Sequence, residues 1–442
     1  MSIRTYQSFR LPHDAGGIQG NLLRFARQHF DTAVFLNSNG YAGDQYTAFP
    51  WIFAMGADDH FVGKERNVFE DLKTFADGYD DWLFGSFTYD LKNQLEHLCS
   101  KNPDHIGMPV CHFFLPVVLV MPCREGLRIG TLPGHGLFSD PEHVYAEIMK
   151  VPIEQDRQPP VTIQIKQRVS KKCYLKHLKA INEHIQAGTI YEMNYCIEFF
   201  AEGAVIDPVA LYDSLNSISQ SPFSCFYMAD DKYLVCASPE RFLRKQGAKL
   251  ISQPIKGTSP RGDSPEADCR MKQWLVADPK ERSENVMIVD LVRNDLSRTA
   301  QKDSVQVEEL YGVYSFRQVH QMISTVTSRI HPDCHYLDVI KNAFPMGSMT
   351  GAPKHRAMQL IDRYEDSRRG LYSGAVGYIS PEKDFDFNVV IRSVLYNAKK
   401  QYLSYMAGSA ITIGSDPEKE YEECLLKARA MGKAVLNANA GT

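Results

Sequence analysis

The chain of 442 residues has no long apolar run: its longest, Phe113 to Met121, contains Pro116 and falls far below the ~20 residues that a membrane helix needs. That stretch reads as a buried strand, and no membrane partner is expected. Nor is there a long basic run. With 49 Lys and Arg against 53 Asp and Glu, the net charge of -4 gives no electrostatic case for nucleic acid and favours a small-molecule partner. The 10 cysteines are scattered without a Cys-x-x-Cys pair, which argues against a disulfide framework and against structural zinc. His331-Pro332-Asp333-Cys334-His335 gathers ligand types, but its proline and single cysteine make it a surface turn. The opening Met1-Ser2-Ile3-Arg4-Thr5-Tyr6 lacks the apolar core of a signal peptide, so a cytoplasmic location is expected. No repeat of about 20–50 residues and no low-complexity segment is visible.

What is present points to an α+β protein. A chain this long is expected to form two domains or one elaborate layered body. Pro152 to Pro160 is polar and proline-rich and serves as the expected linker, dividing a sheet-rich segment at 1–155 from a second unit at 162–436. The first segment alternates short apolar runs with Gly- and Asp-rich turns and shows few helical stretches. In the second, Ser170 caps a helix carrying Tyr174, Leu178, Ile181 and Ile185 and closed by Gly188. Further helices are expected at 279–297, 353–364 and 417–436, among strands near 190–200, 222–228, 233–237, 248–255, 374–380 and 387–396. The order is irregular, which excludes a doubly wound sheet.

Several charged residues fall where apolar ones are expected. Asp416 and Pro417 set the phase of the last helix. At about 100° per residue, Glu420, Glu423 and Lys427 then share a face with Cys424, Ala428, Met431 and Val435. Ionised carboxylates there need partners or a metal; an i,i+4 pair with Lys427 on the rim is the alternative. Asp278 and Pro279 likewise start a helix in which Glu284 lies in line with Ile288 and Leu291. Carboxylates from two helices suit Mg²⁺, which keeps several waters.

Three other segments carry chemistry. Ser252-Gln253-Pro254-Ile255-Lys256-Gly257-Thr258 places Lys256 at the end of a strand inside a turn, either as a solvated loop residue or as a nucleophile. A nucleophilic amine must be neutral, so its pKa is expected to lie below the ordinary ~10.4. The turn Gly347-Ser348-Met349-Thr350-Gly351-Ala352-Pro353-Lys354 directs backbone N–H groups toward an anion but lacks the Gly-Lys-Ser/Thr ending of a phosphate loop, so its ligand is expected to be a carboxylate. Arg392 interrupts an apolar strand and either forks onto a carboxylate or forms a structural ion pair.

Together these segments resemble the chorismate-utilising enzyme family, which includes anthranilate synthase component I, aminodeoxychorismate synthase component I, isochorismate synthase and salicylate synthase. The resemblance runs from about 165 to 435 through Ser238-Pro239-Glu240-Arg241-Phe242, the Lys256 segment, Glu284 to Asp295, the Gly347–Lys354 turn, Gly374-Ala375-Val376-Gly377-Tyr378, Arg392 and Glu420-x-x-Glu423-x-x-x-Lys427. It is weaker at Phe35-Leu36-Asn37-Ser38 and Phe84 to Asp90. It implies an anthranilate synthase component I-like two-domain fold with large antiparallel sheets and flanking helices. It also implies Mg²⁺ held by Glu284, Glu420 and Glu423 against the ring carboxylate of chorismate. Tyr372 and Arg392 would hold the enolpyruvyl carboxylate, Thr350 would line the pocket, and Gly408, Ser409 and Ala410 would grip the dianion. Glu240 would protonate the departing 4-hydroxyl, and Lys427 would balance the acidic cluster.

Position 256 sets the expected subtype. Lys256 resembles the aminodeoxychorismate synthase nucleophile: its amine would attack C2 as the 4-hydroxyl leaves, and ammonia would then enter at C4 and expel it. The product is 4-amino-4-deoxychorismate, on the route to 4-aminobenzoate and folate. Isochorismate and salicylate synthases carry a base lysine at the position of Glu192, a position that is commonly glutamine in ammonia-using members. Gln321-Met322-Ile323-Ser324-Thr325 also departs from the family pattern, with His320 one place early, so no catalytic role is carried to His320. No Gly-x-Cys-x-Gly glutaminase segment occurs, and ammonia is expected from a separate glutamine amidotransferase subunit or from solution. The alternatives are an anthranilate synthase component I and a chorismate-binding regulatory protein without turnover.

Overall fold

The computed structural model describes residues 3–11, 17–64, 66–151 and 163–440. The proline-rich stretch at 152–160 lies outside them, and with it the expected boundary. Among the described residues, 20 antiparallel strands form one hydrogen-bonded network. The long strand Cys111–Cys123, which contains the Phe113–Met121 run, is its junction. On one side the ladder runs through Trp51–Val62, Thr32–Asn37, Phe223–Ala229, Lys232–Ser238, Ser393–Asn397 and Tyr402–Ile411 to Glu192–Glu202. From the other side it runs through Leu83–Phe87, Ala375–Ile379, Phe385–Asn388, Arg241–Gln246 and Lys249–Gln253 to Val319–Arg329. Strands from before and after the proline-rich stretch thus share ladders.

The first of these wings is buried on both faces. Val34, Tyr227 and Leu234 pack into a core shared with Phe84, Phe113, Leu243 and Val389, together with Ile288 and Val292 of the helix Pro279–Ser297. Their neighbours Phe35, Met228 and Val235 face the opposite way, into a second core with the helix residues Phe25, Ile181, Leu215 and Met431. Successive side chains alternate between faces, so a strand covered on both sides reads as an unbroken apolar run.

Three of the expected helices begin where their capping residues place them. Asp278 accepts from the N–H groups of Lys280 and Glu281 at 2.9 Å each, and the helix spans Pro279–Ser297. Ser170 accepts from Cys173 at 3.3 Å and starts Lys171–Gln186. Asp416 accepts from Lys419 at 3.0 Å, and the last helix runs Pro417–Ala440, past the expected end at 436.

Two expectations are corrected. The N-terminal part holds the helices Ile18–His29, Val68–Asp77 and Pro141–Lys150. The first two follow Gly17 and Asn67, which make no side-chain cap. The expected strand at 387–396 is two strands, Phe385–Asn388 and Ser393–Asn397, broken at Arg392 by a left-handed backbone with φ 50°. No helix among the described residues is long and apolar enough to cross a membrane.

Candidate functional site

Lys256 owes its position to a β-bulge. Ile255 faces Ile323 and Thr258 faces Gln321, leaving residues 256 and 257 opposite Met322 alone. A bulge re-aims a side chain out of the ladder. Gly257 sits at φ 101°, a conformation that favours glycine. Asn285 holds the bulge by donating its side-chain amide to the Lys256 carbonyl at 3.2 Å, and Ser324 Oγ donates to Asn285 Oδ1 at 2.6 Å. The amine then donates to Glu192 Oε1 at 2.7 Å, with side chains 10% and 0% exposed. Burial disfavours charge on the amine, but Glu192, Glu284 and Glu240 outweigh it and hold the lysine pKa above its usual value. This corrects the expected depression: the lysine rests protonated.

Glu240 is buried in the same cleft. Its carboxyl is pushed up to about 7 by burial, against the opposing effects of Ser348, Lys256 and Arg392. Thr350 is fully buried and donates to the Met346 carbonyl at 3.1 Å. Gly351, at φ 150°, lets the turn lie on the strand Glu192–Glu202, where a Cβ would stand 2.1 Å from the Glu192 carbonyl oxygen. The N–H groups of Met349 and Thr350 are spent on Met346 and Gly347, so the turn offers fewer donors to an anion than its sequence predicts.

Tyr372 is buried, with its hydroxyl 3.7 Å from Cys196 Sγ. Arg392 is brought down to about 10 by withdrawal from water, with Glu240 opposing. Gly408, Ser409 and Ala410 lie opposite Cys196, Tyr195 and Asn194. Ser409 Oγ is buried without a hydrogen-bond partner, on the face of its strand that carries Tyr195 and packs toward Tyr174, away from Cys196 and Asn194. Lys427 donates to the Gly408 carbonyl at 3.2 Å and pairs with Glu423 at 2.6 Å.

The acidic residues converge in part. Glu420 is 4% exposed, as its helix face predicts. Glu423, expected to point inward, has a side chain 47% exposed and takes the rim pair with Lys427. Burial pushes Glu284 up to about 7, with Lys256 and Lys280 opposing. The Lys280 ammonium lies 3.7 Å from Glu284 and 3.9 Å from Glu420, so these two carboxylates already share one cation. Among the described residues no three His, Cys, Asp or Glu side chains lie close enough together to hold a metal as they stand. The donor set fits Mg²⁺ in kind, being all oxygen, and assembling it requires Lys280 and Lys427, 49% and 40% exposed, to swing outward.

Lys280 itself was legible four residues before Glu284 on one helix face. Ser348, Asn194 and Asn285 carried no local signal, because their roles depend on contacts between a turn, a strand and a helix far apart in the chain. His320 is fully buried between Ser315 and Asp268, at 3.0 and 2.9 Å, and serves structure. His335 caps the helix Tyr336–Ala343, in keeping with a surface turn before it.

The chain is similar to several known proteins. Anthranilate synthase component 1 of Thermus thermophilus is 34% identical over 380 residues, covering 84% of this chain and 80% of that protein. Aminodeoxychorismate synthase component 1 of Klebsiella aerogenes is 34% identical over 343 residues, covering 77% and 74%. Against the aminodeoxychorismate synthase of Streptomyces griseus, 42% identical over 257 residues, the chain spans 35% of that protein's length. The solved anthranilate synthase component I of Streptococcus pneumoniae has the same fold, with a TM-score of 0.75 at 24% identity over 96% of this chain and 99% of that one. A family model described as chorismate binding enzyme matches residues 34–433, and the chain belongs to that family.

Proposed function

We propose that this protein is the chorismate-aminating component of an aminodeoxychorismate synthase, converting chorismate and ammonia to 4-amino-4-deoxychorismate through a covalent bond to Lys256. The observation that carries the reading is the bulge that turns Lys256 into the cleft holding Glu240, an acid whose pKa near neutrality suits protonation of a leaving hydroxyl. Tyr372 and Arg392 would hold the enolpyruvyl carboxylate. Thr350 would line the pocket and the Gly408–Ala410 backbone would help grip the dianion, with Lys427 balancing the acidic cluster. Glu284, Glu420 and Glu423 would hold Mg²⁺, which when bound neutralises the ring carboxylate of the substrate. With Glu240 giving its proton to the 4-hydroxyl, the Lys256 amine forms a bond at C2, and ammonia at C4 then displaces it.

The relatives named component 1 support a separate subunit as the ammonia source. The purified chain is expected to use ammonium salts but not glutamine until an amidotransferase is added; glutamine turnover by the chain alone would overturn this. The reading itself is tested by product regiochemistry. Wild type with chorismate, Mg²⁺ and ammonium salt should give the 4-amino product, and Lys256→Ala should lose ~10³-fold or more of it. Full 4-amino product from Lys256→Ala would defeat the nucleophile. A second reading, anthranilate synthase component I, is favoured by the Thermus relative and would appear as amination at C2.

A further inference from the structure

We propose that Glu192 is the base that removes the proton from the Lys256 amine before it attacks. This rests on the reading above that Lys256 is the nucleophile. The geometry comes first: Glu192 Oε1 is 2.7 Å from the amine, the only hydrogen bond that the Lys256 side chain makes among the described residues. Solvent cannot do the task easily, since the two side chains are 10% and 0% exposed. Glu192 Oε2 is buried with no hydrogen-bond partner, so the carboxylate has one oxygen on the lysine and one uncommitted. The strand start holds the residue rigidly: Tyr191 N–H donates to the Ala352 carbonyl at 2.7 Å and Asn194 N–H to that of Thr350 at 2.8 Å.

The protons balance over one turnover. Lys256 gives a proton to Glu192, and its neutral amine bonds to C2. The ring double bond shifts, and the C4–O bond breaks as Glu240 protonates the hydroxyl, releasing water. The lysine nitrogen is then a secondary ammonium. Ammonia bonds to C4, the C2–N bond breaks, and Lys256 leaves as a neutral amine that recovers its proton from Glu192. Glu240 recovers its own from the new C4 ammonium. The sum is chorismate plus ammonia giving the amine and water. Charged groups facing Lys256 are Glu192 from its strand, Glu284 from the helix Pro279–Ser297 and Glu240 from the segment before Arg241, with Glu281 and Glu423 at longer range.

The test measures 4-amino product from full-length protein with Mg²⁺ and chorismate, across a pH series at constant free ammonia. Glu192→Gln keeps the shape and the acceptor oxygen but cannot take a proton. Its rate should fall by ~10²-fold or more and, below about pH 7 where Glu240 keeps its proton, climb about tenfold per pH unit as solvent deprotonates the lysine, a limb absent from wild type. Glu192→Asp should recover part of the rate and the wild-type profile. Glu192→Gln matching wild type in rate and profile would overturn the proposal. So would Glu192→Asp tracking Glu192→Gln, or loss of chorismate binding in Glu192→Gln, each of which assigns residue 192 to structure. Failure of the underlying reading is separate: it shows as a missing 4-amino product in wild type or a retained one in Lys256→Ala.

Discussion

Arg241 and Lys256 are both buried cations facing carboxylates, and they differ in how completely they are paired. Arg241, 1% exposed, donates to both oxygens of Asp44 at 2.9 and 2.7 Å, to both oxygens of Asp386 at 2.9 and 3.1 Å, and to Gln253. Lys256 has one partner, and that partner keeps an unpaired oxygen. A saturated buried cluster has nothing left to give a substrate; an unsaturated one does. Their acids also respond oppositely to pH. Burial raises Asp44, but the Arg241 guanidinium outweighs it and holds the carboxyl below its usual value. That contribution to stability is full above the unfolded pKa and is lost as pH falls through the folded one. Glu240 is raised from 4.5 to about 7, so the folded state binds the extra proton and stability declines as pH climbs through that window.

The largest effect that would break this contrast is on Arg241. Arg241→Ala leaves the buried Asp44 without its cation and Asp386 with Arg244 alone, at 3.3 Å, and should cost about 3–5 kcal/mol in a urea unfolding experiment. A loss as small as that of Lys256→Ala would erase the distinction between a structural and a chemical cluster. Glu240→Gln comes next: it should retain the fold while lowering kcat/KM for chorismate ~10²-fold or more, and should lack the decline in activity expected of wild type above about pH 7. A decline that survives in the variant assigns the limb to another group. Smaller is Glu423→Gln, expected to weaken Mg²⁺ and chorismate binding together by at least ~10-fold, read by calorimetric titration. Unchanged Mg²⁺ dependence would remove Glu423 from the ligand set. Smallest is Lys280→Ala, which should change stability by less than about 1 kcal/mol and tighten Mg²⁺ binding, because the cation shared by Glu284 and Glu420 is gone. Weaker Mg²⁺ binding there would show that the ammonium does not occupy the metal's place.

The sequence was most readable where local chemistry decides structure. Asp278–Pro279 and Ser170 mark helix starts through their own side chains, and the expected phase brought Glu284 and Glu420 to one cleft. Asp140–Pro141 is the same device and marks the helix Pro141–Lys150 just as plainly. Gly17 and Asn67 carry no cap, and the two helices after them are recognisable only by the faces they bury. At the site, residue types pointed to chemistry, but the protonation of Lys256 depends on Glu192, which lies 64 residues away and comes close only through strand pairing. Arg392 was identified while its backbone was not, because a left-handed turn at a bulky residue has no local sequence cause.

Glu240 and Arg241 are consecutive, and one faces Ser348 and Lys256 while the other faces Asp44 and Asp386. An extended segment sends neighbouring side chains to opposite sides, so the guanidinium works as a dowel that fixes which of the two enters the cleft. The chain is therefore poorly tolerant of length changes here. One residue inserted between Ser238 and Glu240 would turn the arginine toward Ser348 and Lys256 and the acid toward Asp44 and Asp386, whereas conservative replacements at the same places keep the two sides in order.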